Sequence, residues 1–114
     1  MTNIRSVAVN VHVDDLDAAI PLYQQLGAVE SVSRFGYQDL QLARVGPFLL
    51  ISGNVGNHPP QAATMVVASL HLVRAALDAA GAEIIEGPSQ VPNGTRLVAR
   101  HPDGSIFEYI QPPE

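Results

Sequence analysis

The chain repeats itself, and that repeat constrains its fold more than any local pattern does. The order strand, helix, strand, strand, strand can be read twice along its 114 residues. A shift of 54 lays Leu16 on Leu70, Tyr23 on Leu77 and Gly27-Ala28 on Gly81-Ala82, and a shift of 58 lays Gly46 on Gly104 and FLLIS on IFEYI. The second copy is therefore expected to carry four extra residues between its helix and its last strand. Agreement of element order and spacing points to duplicated supersecondary units even where identity is thin. The expected organisation is one α+β domain of two βαβββ units, residues 1–53 and 62–114, joined by a connector at 54–61.

VAVNVHV, residues 7–13, alternates strictly, which is the period of a strand with one buried face. Asp14 or Asp15 can cap the helix that follows, LDAAIPLYQQLG, whose Leu16, Ala19, Ile20, Tyr23 and Leu26 fall on helical spacing before Gly27 ends it. Pro21 removes a donor inside this helix and is expected to bend it. VESVSRF, YQDLQLARV and FLLISG read as strands, separated at Gly36 and at Gly46-Pro47. NVGNHPPQ is too stiff and donor-poor for helix or central strand. AATMVVA, LHLVRAALDAAGA, AEIIEGP, TRLVARH and SIFEYIQ then repeat the series. A mixed sheet of this kind is apolar where it meets its helices and can curl its other face round a cleft. The valines of the first strand are expected on the helices, with Ala8, Asn10 and His12 in the cleft. In the last strand Phe107 and Tyr109 belong to the core, and Ile106, Glu108 and Ile110 to the cleft.

Composition narrows the chemistry. Cysteine is absent, so no thiolate can serve as metal ligand or nucleophile, and a reducing cytoplasmic location is compatible. Six arginines, scattered from Arg5 to Arg100, stand against 11 acidic residues, for a net charge of −5. Nucleic acid recognition needs clustered cations, so no nucleic-acid partner is expected. No apolar run approaches the ~20 residues of a membrane span, and no leader pattern precedes the first strand, so no membrane partner is expected either.

VNVHVDDLDAAIPLY at 9–23, AAGA at 79–82 and above all HPDGSIFEYI at 101–110 resemble the vicinal oxygen chelate superfamily, which includes glyoxalase I, extradiol dioxygenases and bleomycin resistance proteins. The resemblance covers nearly the whole chain and implies the paired βαβββ fold. In metal-dependent members, four ligands come from the first and last strands of the two units. Those places fall here on Ala8, Leu50, Ala62 or its neighbour Ala63, and Glu108, of which Glu108 alone offers a donor. His12 lies four residues beyond Ala8, about 13 Å along a strand, too far for a simple exchange of ligands. His58, His71 and His101 fall in a connector, on a helix and before a turn. No metal and no cofactor is expected.

Each candidate has a plainer reading beside it. Glu108 would anchor a ligand or act as a base, or else pair with Arg96 or Arg100; its replacement by Gln is expected to leave the fold intact. Asn10 and His12 would contact a ligand, or His12 would be solvated at the rim. Phe35 and Tyr37 would stack on a planar ligand or pack in a hairpin. His71 reads as solvated, and Asp103-Gly104 as turn residues. The reading this favours is a metal-independent binding protein of the bleomycin-resistance kind, which the resemblance implies is a homodimer, holding an apolar or aromatic small molecule against Ala8, Asn10, His12, Leu50, Ala62 and Glu108. The acidic balance agrees with a cationic ligand. The alternative is a lyase, isomerase or oxygenase using Glu108, with or without a metal; a third is an interaction module.

Overall fold

The computed structural model describes residues 2–54, 56 and 61–113. Most of the connector expected at 54–61, His58 included, lies outside the described residues. Eight strands and two helices run in the order β1 (Ile4–His12), α1 (Leu16–Gly27), β2 (Ser33–Tyr37), β3 (Leu40–Val45), β4 (Phe48–Gly53), β5 (Ala63–Val67), α2 (Leu70–Ala80), β6 (Glu83–Val91), β7 (Gly94–Arg100) and β8 (Ile106–Gln111). This is the expected α+β fold of two βαβββ units. No helix among the described residues is long and apolar enough to cross a membrane. The chain divides into two compact units, residues 8–60 and residues 1–7 with 61–114, so the division falls inside β1.

In the unit of residues 8–60 the strands lie in the order β2, β3, β4, β1, with β1 parallel to β4 and the other pairs antiparallel. Asp15 caps α1 by accepting from the backbone N–H of Asp17 and Ala18. The helix runs through Gly27, and Ala28 takes the left-handed position that ends it, at φ 52°. Gly36 lies inside β2; the turn is made by Gln38 and Asp39, with Gln38 at φ 54°. Leu16, Ala19, Ile20 and Tyr23 of α1 pack on Val11, Val13, Ala43, Val45, Phe48 and Leu50. Tyr23 meets Phe48 edge to face, ring centroids 4.8 Å apart. Val9, expected on this helix, is 49% exposed, because α1 covers only the far end of β1.

In the other unit β5 is parallel to β8, and β8, β7 and β6 follow as an antiparallel series. Ser69 caps α2 and Gly81 ends it at φ 77°. Leu70 and Leu77 pack on Val67, Leu97, Ala99 and Tyr109. Val7 of the first strand is 45% exposed, again against expectation. β6 reaches Val91 and carries two register irregularities, one on each side of Glu86. Between β7 and β8 the segment HPDGS forms a turn in which Asp103 accepts from the Ser105 N–H at 2.9 Å and Gly104 sits at φ 94°. Those hydrogen bonds from Ser105, backbone first, hold the Asp103 carboxyl below its usual range.

The pairing registers correct the internal repeat. Asn10 lies opposite Leu49 in β1 and β4, and Thr64 opposite Glu108 in β5 and β8. Asn10 maps on Thr64 by 54, but Leu49, not Leu50, maps on Glu108, by 59. Tyr37–Leu40 and Val91–Gly94 close equivalent hairpins, still at a shift of 54. The insertion is therefore five residues and sits wholly between β7 and β8. Matching Gly46 to Gly104 slipped the frame by one, and a slip of one exchanges the faces of a strand.

Leu50, wholly buried among α1 side chains, should cost about 2–5 kcal/mol when cut to Ala. Val9→Thr, at an exposed position on that same face of the sheet, should change stability by less than ~0.5 kcal/mol. Urea denaturation of the two variants checks the assignment; equal losses would contradict it.

Candidate functional site

Each unit turns one face of its sheet away from its helix, and the polar candidates lie on those faces. In the unit of residues 8–60, cross-strand pairing lines up Ser33, Arg44, Leu49 and Asn10 in one row and Phe35, Leu42, Ile51 and His12 in the next. Ala8, Leu40, Leu42, Leu49 and Ile51 form a buried cluster there, with Phe35 and Tyr37 against it. Asn10 is half-buried and His12 exposed. Ala8 is on this face as expected, and Leu50 is not: Leu49 takes its place. Arg44 is the one charged side chain in these two rows. Its Nε donates to the Gly46 carbonyl at 2.7 Å, and burial lowers its pKa from the usual arginine value.

The other unit carries a closed ionic cluster on its helix-free face. Thr64, Glu108, Val98 and Glu86 lie side by side across β5, β8, β7 and β6. Arg96, one row along, reaches back over Val98 and places its guanidinium between the two carboxylates. Its Nε donates to Glu108 Oε2 at 2.5 Å and its Nη1 donates to Glu86 Oε2. Thr64 Oγ1 donates to the remaining oxygen, Glu108 Oε1, at 2.7 Å. The Arg96 side chain is 5% exposed, Glu108 13% and Glu86 36%. Burial pulls the guanidinium pKa down, and hydrogen bonds and charge from Glu108, then Glu86, more than offset it, so the net direction is upward. Gly87 sits against the Arg96 carbonyl, where a Cβ would approach to 2.4 Å, which lets β6 and β7 come close beside the cluster. Ala62 precedes β5, is exposed, and donates its N–H to the Ile106 carbonyl at 2.8 Å.

The plainer reading of Glu108 is thus the one its geometry follows, with Arg96 as partner; Arg100 pairs instead with Glu83. Glu86, Thr64, Arg44 and Leu49 were not singled out from the sequence. Counting alternate residues along the strand from Ala62 would have found Thr64, but no such count finds Glu86, whose face is set by the irregularities in β6. His71 is exposed on α2. His101 accepts or donates at Tyr109 Oη, 2.7 Å away, and lies on the Phe107 ring, centroids 4.7 Å apart. Burial raises the Tyr109 phenol above its ordinary value, so the phenol keeps its proton.

These residues do not fit the divalent ion held by metal-dependent members of the superfamily that the sequence resembles. Ala8, Leu49 and Ala62 have no side-chain donor, and both oxygens of Glu108 are engaged within the protein. No group of three or more His, Asp or Glu among the described residues could hold a metal ion. A divalent ion, held by oxygen donors at about 2.0–2.6 Å, would have to displace a guanidinium that is already in place on Glu108.

Removing one partner of a buried ion pair leaves an uncompensated charge, which costs about 3–5 kcal/mol. Glu108→Gln keeps a neutral acceptor and leaves Arg96 with Glu86, so its expected cost is smaller, about 1–3 kcal/mol. The fold is still expected to stay intact, at reduced stability. Arg96→Met, which strands two carboxylates, should cost more, and chemical denaturation of both variants measures the difference.

The similarity of this chain to known proteins lies in structure. A crystal structure of an uncharacterized protein from Methanosarcina mazei is 33% identical over 98% of this chain and 95% of that one, with a TM-score of 0.90. Methylmalonyl-CoA epimerase from Mycobacterium tuberculosis is 17% identical over 100% and 92% of the two chains, TM-score 0.72. A variant of the Streptomyces coelicolor methylmalonyl-CoA epimerase, in complex with 2-nitronate-propionyl-CoA, is 13% identical over 99% and 100%, TM-score 0.74. Neither a protein-family model nor a curated protein matches the sequence.

Proposed function

The chain belongs to one family with the Methanosarcina mazei protein and shares the fold of methylmalonyl-CoA epimerase, and we propose that, as a member of the vicinal oxygen chelate superfamily its sequence resembles, it binds a small organic molecule without a resident metal ion. The observation that carries this reading is the state of Glu108. It alone among the four ligand places has a donor, and that donor is neutralised by Arg96 and hydrogen-bonded by Thr64. What the two helix-free faces offer a ligand is apolar surface with few polar groups, the usual make-up of a small-molecule site. The protein then acts as the bleomycin-resistance members do, by holding an apolar or aromatic compound. With this reading go a homodimer, the form in which the smallest members complete their cavities, and a cytoplasmic location.

A second reading is kept because the structural neighbours include an epimerase acting on a coenzyme A thioester. Here Glu108 would take a proton from carbon, which requires it to leave Arg96 or Thr64 first, and requires a group to stabilise the developing enolate. Fold similarity does not supply either.

Native mass spectrometry of protein purified without chelator, with thermal shifts over Ni, Zn, Mn and Fe and over a library of aromatic and aliphatic compounds, tests the proposal. The expected result is a dimer mass, no stoichiometric metal and stabilisation by organic compounds alone. One tightly held ion per chain would overturn it. So would deuterium exchange at the α-carbon of methylmalonyl-CoA that is lost in Glu108→Gln.

A further inference from the structure

The two arginines on the helix-free faces are treated differently. Arg96 is matched by two carboxylates, whereas Arg44 has no carboxylate partner among the described residues; its hydrogen bond goes to a backbone carbonyl, Gly46. Arg44 is nonetheless half-buried, beside Leu49 and one row from Leu42 and Ile51. A charge taken partly out of water without a counter-charge costs stability and is retained where something else supplies the charge.

We infer that Arg44, with Asn10 across Leu49, is the anchor for an organic anion whose apolar body lies along Leu42, Ile51 and Phe35. The inference rests on the small-molecule-binding reading and names its ligand class: a carboxylate, or another planar or tetrahedral oxyanion, carried on an aromatic or aliphatic body. Arg44 sits on β3 and Asn10 on β1, with β4 between them, so their Cα atoms are two strand spacings apart, about 9–10 Å. A carboxylate lying over Leu49 on the Asn10 side is within reach of the long Arg44 side chain and of the short Asn10 amide, and a guanidinium offers it two parallel N–H donors. The next row, Phe35, Leu42, Ile51 and His12, is apolar for three strands and ends in an exposed histidine. A polar head against the first row and an apolar body on the second is the arrangement this face accommodates. The net charge of −5 had pointed to a cationic ligand, but on this face the local charge is positive.

Isothermal titration with three matched probes tests it: phenylacetate, neutral phenylacetamide and cationic phenethylamine, each against the full chain and against Arg44→Gln and Arg44→Lys. Phenylacetate is expected to bind at least tenfold more tightly than the amide. Arg44→Gln should abolish that preference, and Arg44→Lys should keep a part of it while losing several-fold in affinity. Both variants should keep the parent Tm to within a few degrees, because no carboxylate loses its partner; a thermal melt shows whether a loss of binding is merely a loss of fold. Equal binding of acid and amide, or an unchanged preference in Arg44→Gln, overturns the inference while leaving the small-molecule reading in place. If no probe of any charge binds, both fall.

Discussion

The parallel pairing of the first and last strands in each unit decides which side chains in this protein can meet. Thr64 lies opposite Glu108, and Asn10 opposite Leu49. Side chains alternate faces along a strand, so each of these registers assigns every other residue of two strands to the helix or away from it. The helix-side assignments build the cores around Leu16 and Leu50 in one unit and Leu70 and Leu77 in the other. What remains on the opposite faces includes the polar candidates Asn10, Arg44, Thr64, Glu86, Arg96 and Glu108.

Equivalent positions on those faces have diverged in charge. Where one unit sets Thr64, Glu108 and Val98 side by side, the other sets Asn10, Leu49 and Arg44. The first row holds an acid and recruits Arg96 to neutralise it; the second has lost the acid and gained a base on the neighbouring strand. Metal chemistry of the kind found in the superfamily that the sequence resembles needs donors from both units. Here one of the places is occupied by leucine, two by alanine, and the last by a carboxylate already bound to a guanidinium.

Much of the fold could be read from the sequence, and the errors have physical causes. A cap for the first helix at Asp14 or Asp15, of which Asp15 serves, Asp103-Gly104 as a turn, and the division of Phe107 and Tyr109 from Glu108 all follow from local rules that the structure obeys. The place of Leu50 does not, because it depended on the length of an insertion, and a chance match of Gly46 with Gly104 gave four residues in place of five. Likewise Ala28 and Gln38 adopt left-handed backbone beside glycines that do not mark the turn. Propensity names the residues that tolerate such conformations, but tertiary packing chooses among neighbours. The site was legible only one strand at a time. Glu86 meets Arg96 because β6 is irregular on both sides of it, and no single-strand pattern announces that.

Two half-buried or buried arginines within 114 residues pose an energetic question that the pairing answers for only one of them. Arg96 recovers its desolvation through Glu108 and Glu86, and replacing all three by apolar groups of similar volume would be close to neutral. The cluster ties β7 to both of its neighbours, since Glu86 comes from β6 and Glu108 from β8. Arg44 recovers little: a single hydrogen bond to the Gly46 backbone carbonyl, at the border of an apolar cluster that includes its cross-strand neighbour Leu49. Nothing in the packing of its own unit calls for a charge there, which leaves recognition as the reason for a cation at that position.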